Sequence, residues 1–266
     1  MQKKFKLIAL STMFLGTILV LAGCGSSSAD KKVTTVSVGV PNDGYPFGYM
    51  KGKKLDGYDV SVVKAVDKKL KNYQFKYQAS DFPTALSNLG SNKVTLSADE
   101  YEKNAERQKK FLYSTVGYSV WDTYIVTPAK AKTASSFADM KGKKIYAQTS
   151  TNQAAAAQAY LKAHPGAFHA IYGNYTTEQI VQALTSGQVD ATLAPKYQVD
   201  SWNRSFHKGL KIGSKPIHKS DAYLLFNKSA NKQFVSSVNK AMGELKKDGT
   251  LVKLSNQYLK GDYVPK

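Results

Sequence analysis

The sequence predicts an α/β protein of two similar lobes with a cleft between them. Strand and helix signals alternate through most of the 266 residues, the alternation restarts after residue 124, and a helical tail follows residue 220. A β-α-β-α-β order implies a parallel sheet with helices on its faces. Its recurrence in a second half implies two lobes joined by two crossing strands.

Val36, Val38 and Val40 alternate as a strand, and Pro41-Asn42-Asp43-Gly44 breaks it. From Asp59 to Leu70, Val62, Val63, Val66 and Leu70 keep helical spacing, with Asp59 expected as the N-cap. Phe75 and Tyr77 mark a second strand. Phe82, Ala85, Leu86 and Leu89 mark a helix ending at Gly90, and Val94 and Leu96 a third strand. The second half starts with the strand Tyr124-Ile125-Val126. A helical turn at Ser136, a strand over 144–147 and an alanine-rich helix over 152–163, stopped by Pro165, follow it. Thr176-x-x-Gln179 has the form of a capping box ahead of Ile180, Val181, Ala183 and Leu184, with Gly187 closing that helix. A strand is expected over 189–193. Phe234 to Leu245 and Leu251 to Leu259 carry two final helical patterns.

The single cysteine, Cys24, closes Leu21-Ala22-Gly23-Cys24 behind a start charged by Lys3, Lys4 and Lys6 and a mostly apolar run over 7–21. That run is too short to span a bilayer comfortably. The segment resembles the lipobox of a bacterial lipoprotein. By that resemblance residues 1–23 are a signal peptide, Cys24 takes a diacylglyceryl group, and a second acyl chain holds the protein on the extracytoplasmic face of the cell membrane. A transmembrane anchor or an ordinary signal peptide is the competing reading. Residues 24–32, rich in Gly and Ser, are expected to be a flexible tether. The lobes are expected as 33–117 with 222–266, and 118–221.

Removing the signal peptide lowers the formal charge from +19 to +16. Nucleic acid is the first partner such a charge brings to mind. Against it, the basic residues are nearly all lysine, evenly spread, with no Arg-rich stripe; a solvated coat facing an anionic surface fits better. Arg107 and Arg204 are the only arginines, and arginine in a lysine-rich chain marks a place that needs the planar two-pronged fork. His164, His169, His207 and His218 show no metal spacing, and no nucleophile elbow or phosphate loop is present. Neither a cofactor nor a metal is expected.

Four stretches resemble the solute-binding proteins of polar amino-acid ABC importers. They are Gly44-Tyr45-Pro46-Phe47 with 55–60; Asn104-Ala105-Glu106-Arg107 with 111–114; 141–145 leading to Ser150-Thr151-Asn152; and 239–251 with Asp248-Gly249-Thr250. Their order and spacing agree over nearly the whole mature chain. The resemblance implies the type II periplasmic-binding-protein fold, two Rossmann-like lobes joined by two hinge strands and closing on a ligand. It also implies an amino-acid ligand, an ABC permease partner and a monomer that is not an enzyme. By the same resemblance Arg107 grips an α-carboxylate, and Ser150, Thr151 and Asn152 add the N-terminus of the following helix, an anion site. Tyr45 and Phe82, ahead of Phe47, sandwich the ligand side chain.

One departure matters. Many members carry an aspartate for the α-ammonium where this chain has Pro195. Asp99 or Glu100 is expected to compensate from the other lobe. The surrounding sequence looks closest to cystine and related sulfur amino-acid binders. The rival readings are a small dehydratase on the same fold, with Glu100 as its acid or base, and a surface adhesin or sensory lipoprotein.

Overall fold

The computed structural model describes residues 33–266; the expected signal peptide, Cys24 and tether lie outside them. β1 (Thr34–Pro41) buries Val36, Val38 and Val40 on one face. β2 (Asp43–Gly44), β3 (Gly48–Lys51) and β4 (Lys54–Asp56) form a small antiparallel sheet. Then α1 (Tyr58–Lys69), β5 (Tyr73–Ser80), α2 (Phe82–Gly90) and β6 (Leu96–Glu102) complete the expected alternation, with β1 parallel to both β5 and β6. α3 (Ala105–Lys110), β7 (Phe111–Tyr113) and β8 (Ser119–Val120) lead out of this lobe.

The second lobe opens with β9 (Thr123–Thr127) and a 3-10 turn at Phe137–Met140. β10 (Lys144–Gln148), α4 (Asn152–Ala163), β11 (His169–Gly173), α5 (Thr177–Ser186), β12 (Thr192–Pro195), α6 (Lys196–Phe206) and β13 (Lys211–Ile212) follow. β14 (Asp221–Asn227) returns to the first lobe, and α7 (Lys232–Lys247) and α8 (Thr250–Leu259) close the chain.

The first sheet runs β5-β1-β6-β14-β7, with β8 beside β14. It is mixed, because the returning strand β14 pairs antiparallel with β6, β7 and β8. Val62, Val63 and Val66 of α1 meet Phe234, Val238 and Met242 of α7 and Leu251 of α8 on one face. Each such fully buried side chain contributes roughly 1.5–3 kcal/mol. On the other face, Phe82 and Leu89 of α2 pack with Tyr101, Phe111 and Leu225. In the second lobe β10 and β11 are parallel, while β9 lies antiparallel between β12 and β13.

Two strand positions differ from expectation. The third strand starts at Leu96, because the Val94 N–H turns back to the Asn88 carbonyl at the end of α2. Likewise the Val189 N–H is taken by Ala183 of α5, so the strand expected over 189–193 begins at Thr192. The capping box at Thr176 and Gln179 is present, with Gly187 in the left-handed region at φ 79°. Asp59 is not a cap: Gly57 holds that position and Asp59 sits in the first turn of α1, fully buried.

Between the lobes the chain crosses twice, side by side. Trp121 N–H donates to the Ser220 carbonyl (2.6 Å), Thr123 N–H to His218 (2.8 Å) and Ile217 N–H to Thr123 (2.8 Å). These bonds make the paired crossing segments one ribbon.

Candidate functional site

Asn104 caps α3 by accepting from the Arg107 N–H (2.7 Å), which fixes the first turn carrying Arg107. The Arg107 side chain is 5% exposed. Its Nη1 donates to the Glu102 carbonyl (3.0 Å) and its Nη2 reaches across the cleft to the Ser150 carbonyl (2.5 Å). The guanidinium lies 5.3 Å from the Phe82 ring centre and 5.9 Å from that of Tyr101, within the range of cation–π attraction. Burial pushes its pKa down from the ordinary value, but a guanidinium has ample margin to stay charged.

Opposite stands the N-terminus of α4. Thr151 caps it: the hydroxyl accepts from Ala154 N–H (3.1 Å) and donates to the Gln148 carbonyl (2.6 Å). The first turn of α4 grips the first lobe. Asn104 Nδ2 donates to Asn152 Oδ1 (2.6 Å), Asn152 Nδ2 to the Lys103 carbonyl (3.2 Å), and Gln153 Nε2 to Glu102 Oε2 (2.9 Å). Asn174 and Asp81 form a further bond between the lobes. Together they hold the cleft closed around a cavity of about 100 Å³.

Arg107, Thr151, Asn152, Asp99, Glu100, Phe47 and Phe82 all line this cavity. Tyr45 and Ser150 do not. The Tyr45 ring packs on Tyr49, 4.9 Å between centres, so Phe47, not Tyr45, presents the aromatic surface from this segment. Phe47 in turn lies 5.4 Å from Trp121. Ser150 contributes its carbonyl to Arg107 rather than its hydroxyl to the cavity.

The acidic groups of the cleft are withdrawn from water. Glu100 is 6% exposed and sits in the left-handed region (φ 48°); its Oε2 lies 3.5 Å from the Tyr197 hydroxyl and its Oε1 has no partner. Behind it lies Asp59, beside the Glu100 carboxyl and backbone N–H and the Tyr118 hydroxyl, none of which makes a well-formed hydrogen bond to either of its oxygens. Burial raises both groups, Asp59 to about 7 and Glu100 well above the carboxylate range, where the charge of Asp59 adds to the effect. Two carboxyls so placed share a proton. Asp99 is likewise pushed up by burial and by the charges of Asp59 and Asp43, against the pull of Arg107.

Several cleft residues escaped the sequence reading. Glu102 is 3% exposed and lines the cavity; it accepts from Ser220 Oγ (2.5 Å) and lies 3.6 Å from His218 Nε2. Burial raises its carboxyl, and the Ser220 and Gln153 hydrogen bonds pull it back. Asp43, Trp121 and the stacked pair Tyr146–Tyr175 (4.5 Å between centres) also line it or its mouth. Asp43, Trp121 and Tyr175 come from strand ends and loops with no pattern of their own, and Tyr146 from the middle of β10. Among the described residues no group of three or more His, Cys, Asp and Glu could hold a metal ion.

The chain is similar to known proteins along almost its whole length. It is 30% identical over 266 residues to the L-cystine-binding protein TcyJ of Bacillus subtilis, covering 99% of this chain and 97% of that protein. To L-cystine-binding protein TcyK of the same organism it is 31% identical over 262 residues, 96% of each chain. A solved structure described as a putative L-cystine ABC transporter from Listeria monocytogenes matches with TM-score 0.81 at 29% identity, covering 88% of this chain and 99% of that one. The model of the bacterial extracellular solute-binding proteins, family 3, matches residues 36–261. The chain therefore belongs to that family of extracellular solute-binding proteins.

Proposed function

We propose that the protein is the substrate-binding component of an amino-acid ABC importer, that it captures a polar amino acid by closure of its two lobes, and that L-cystine or a related sulfur amino acid is its ligand. The observation that carries this reading is a buried arginine on one lobe facing a helix N-terminus on the other. Arg107 grips the α-carboxylate with two parallel charge-assisted bonds, and the free N–H groups and dipole of α4, opened by Thr151 and Asn152, add to its hold. The α-ammonium is received by Glu102, with Asp99 and Glu100, which give up their protons as a cation enters beside them, in place of the aspartate that Pro195 displaces. Phe47, Trp121 and Phe82 flank the side chain. The likeness to two L-cystine-binding proteins supports the ligand.

Only the closed form engages Arg107 and α4 together, so ligand shifts the population toward closure. In this reading the lobes are 33–117 with 222–266, and 118–221, with hinges at Ser114–Ser119 and His218–Ala222. The protein is a monomer without catalytic activity. Cys24 carries the lipid that holds it on the extracytoplasmic face of the membrane beside its permease.

A thermal-shift screen of the twenty amino acids plus L-cystine tests the reading. A ligand that raises the unfolding temperature of the wild-type protein and leaves Arg107→Ala unmoved is expected. A protein that responds to none of them, or an Arg107→Ala variant that responds equally, refutes it.

A further inference from the structure

The end of the first lobe opposite the cleft carries charge of one sign. The cleft lies at the C-terminal end of β6, and β1 runs parallel to that strand. The N-terminal end of β1 is therefore about 25 Å away along the strand direction. Three connections gather there: α1 to β5, α2 to β6, and β14 to α7. Thr34 N–H donates to the Asn72 carbonyl (3.0 Å) and Asn227 N–H to the Thr95 carbonyl (3.2 Å). Asn227 Nδ2 donates to the Val94 carbonyl (2.8 Å) and Ser229 Oγ to Asn92 Oδ1 (2.9 Å). The connections surround a groove of about 400 Å³ lined mostly by hydroxyl and amide side chains, among them Thr35, Asn92, Ser229 and Asn231.

Lys71, Lys93, Lys228 and Lys232 project from these connections, all exposed. Residues 33–37, 70–74, 88–95 and 227–236 contain no aspartate or glutamate. No ion pair among the described residues involves any of the four lysines, whereas Lys69, Lys110, Lys143, Lys196 and Lys266 pair with acids elsewhere. Lys228 Nζ reaches only the Gln108 carbonyl of α3 (3.4 Å), and Glu106 of that helix is already held by Lys110 (2.7 Å). Like charges gathered without counter-charge repel one another and attract a polyanion. The chain also enters the fold at this end, through Thr34. The nine residues of 24–32, which include Lys31 and Lys32, span at most about 30 Å. A lipid on Cys24 would thus keep this end close to the bilayer.

We propose that this end of the first lobe docks on the anionic phospholipid headgroups of the membrane, with Lys71, Lys93, Lys228 and Lys232 against the phosphates and the groove's amides and hydroxyls donating to them. So docked, the protein stands on its first lobe with the cleft raised about 25 Å from the surface, open to ligand. Each lysine at such a surface favours binding by about fivefold, and four together by several hundredfold.

The inference rests on the lipid-anchor reading, and the test keeps the two apart. The mature chain, residues 24–266 with Cys24→Ser, carries no lipid and retains the compact unit Val33–Lys266. It is sedimented at about 0.1 M salt with phosphatidylcholine vesicles and with mixed phosphatidylcholine–phosphatidylglycerol vesicles. Binding to the mixed vesicles alone is expected. Replacing Lys71, Lys93, Lys228 and Lys232 together by Gln should weaken it roughly 100-fold, and each single Lys→Gln exchange about fivefold. Removing the same charge from the second lobe, at Lys130, Lys141, Lys162 and Lys208, should cost less than about fivefold, because those lysines lie beyond the screening length of the docked surface. Equal losses in the two quadruple variants, binding to phosphatidylcholine alone, or binding to inorganic polyphosphate without binding to the mixed vesicles overturns the docking face. Mass spectrometry of protein extracted from cell membranes reads the anchor: a Cys24 without acyl groups refutes that reading, whatever the vesicles show.

Discussion

Replacing Asp59 by asparagine should stabilise the ligand-free protein at neutral and alkaline pH, although it alters a fully buried residue of α1. In the unfolded chain Asp59 titrates near its ordinary value of 3.8; in the fold it is raised to about 7. Between those values the folded state keeps a proton that the unfolded state has lost, so stability falls as pH rises through the window. The penalty is absent below pH ~4 and complete above the folded value. At about 1.4 kcal/mol per pH unit, the displacement amounts to about 4 kcal/mol if Asp59 ionises alone. Sharing the proton with Glu100 spreads the penalty over the pair, which puts the share removed by one substitution at about 2–4 kcal/mol. Asparagine keeps the shape and can donate from Nδ2 to Glu100 Oε1, which otherwise has no partner. Urea unfolding of both proteins from pH 4.5 to 8 measures the effect. The variant should be more stable by about 2 kcal/mol or more at pH 8, and the gap should shrink steadily toward pH 4.5. A gap that is independent of pH, or a variant less stable at pH 8, would refute the reasoning.

Arg107→Lys keeps the charge but loses the fork, together with the bonds to the Glu102 and Ser150 carbonyls. Ligand affinity should fall by about 3 kcal/mol, roughly 150-fold, and calorimetry showing less than a fivefold loss would argue against the bidentate grip. Gly57→Ala should unfold the entry to α1, because Gly57 has φ +130° and a Cβ there would lie 2.2 Å from the Phe47 carbonyl oxygen. A loss of about 3 kcal/mol or more in urea is expected, and a loss below about 1 kcal/mol would show that the backbone relaxes. Cys24→Ser should bind ligand with wild-type affinity by calorimetry yet support weak uptake in cells; undiminished uptake would show the anchor to be dispensable.

The alternation of Val36, Val38 and Val40 and the valines of α1 were legible because covered sheets and amphipathic helices leave periodic apolar patterns. The cap at Thr176 was legible because its chemistry is local. Arg107 stood out as one of two arginines in a lysine-rich chain, and it is buried at the cleft. β6 was placed two residues early because Ser97, Asp99, Glu100 and Glu102 interrupt its apolar pattern; a strand that lines a cleft does not look like one that lines a core. β11, α6 and β14 were not individually read. Phe47 rather than Tyr45 lines the cavity, Tyr45 being packed on Tyr49, and only the three-dimensional path of the turn decides which ring faces the cleft. Nor does anything local in the sequence bring Asp59 of α1 against Glu100 of β6.

β14 enters the middle of the first sheet from the far end of the chain, between β6 and β7. The order of assembly is therefore inverted relative to the order of synthesis. The first lobe, begun first, cannot complete its sheet until Asp221–Asn227 has emerged, whereas every strand of the second lobe already exists by Ile212. During that interval β6 waits with an open edge, the kind of surface on which growing chains stick to one another. It waits with Asp99, Glu100 and Glu102 along it, and charges on a bare edge discourage such pairing. The carboxyls that crowd the finished cleft thus also guard the unfinished one.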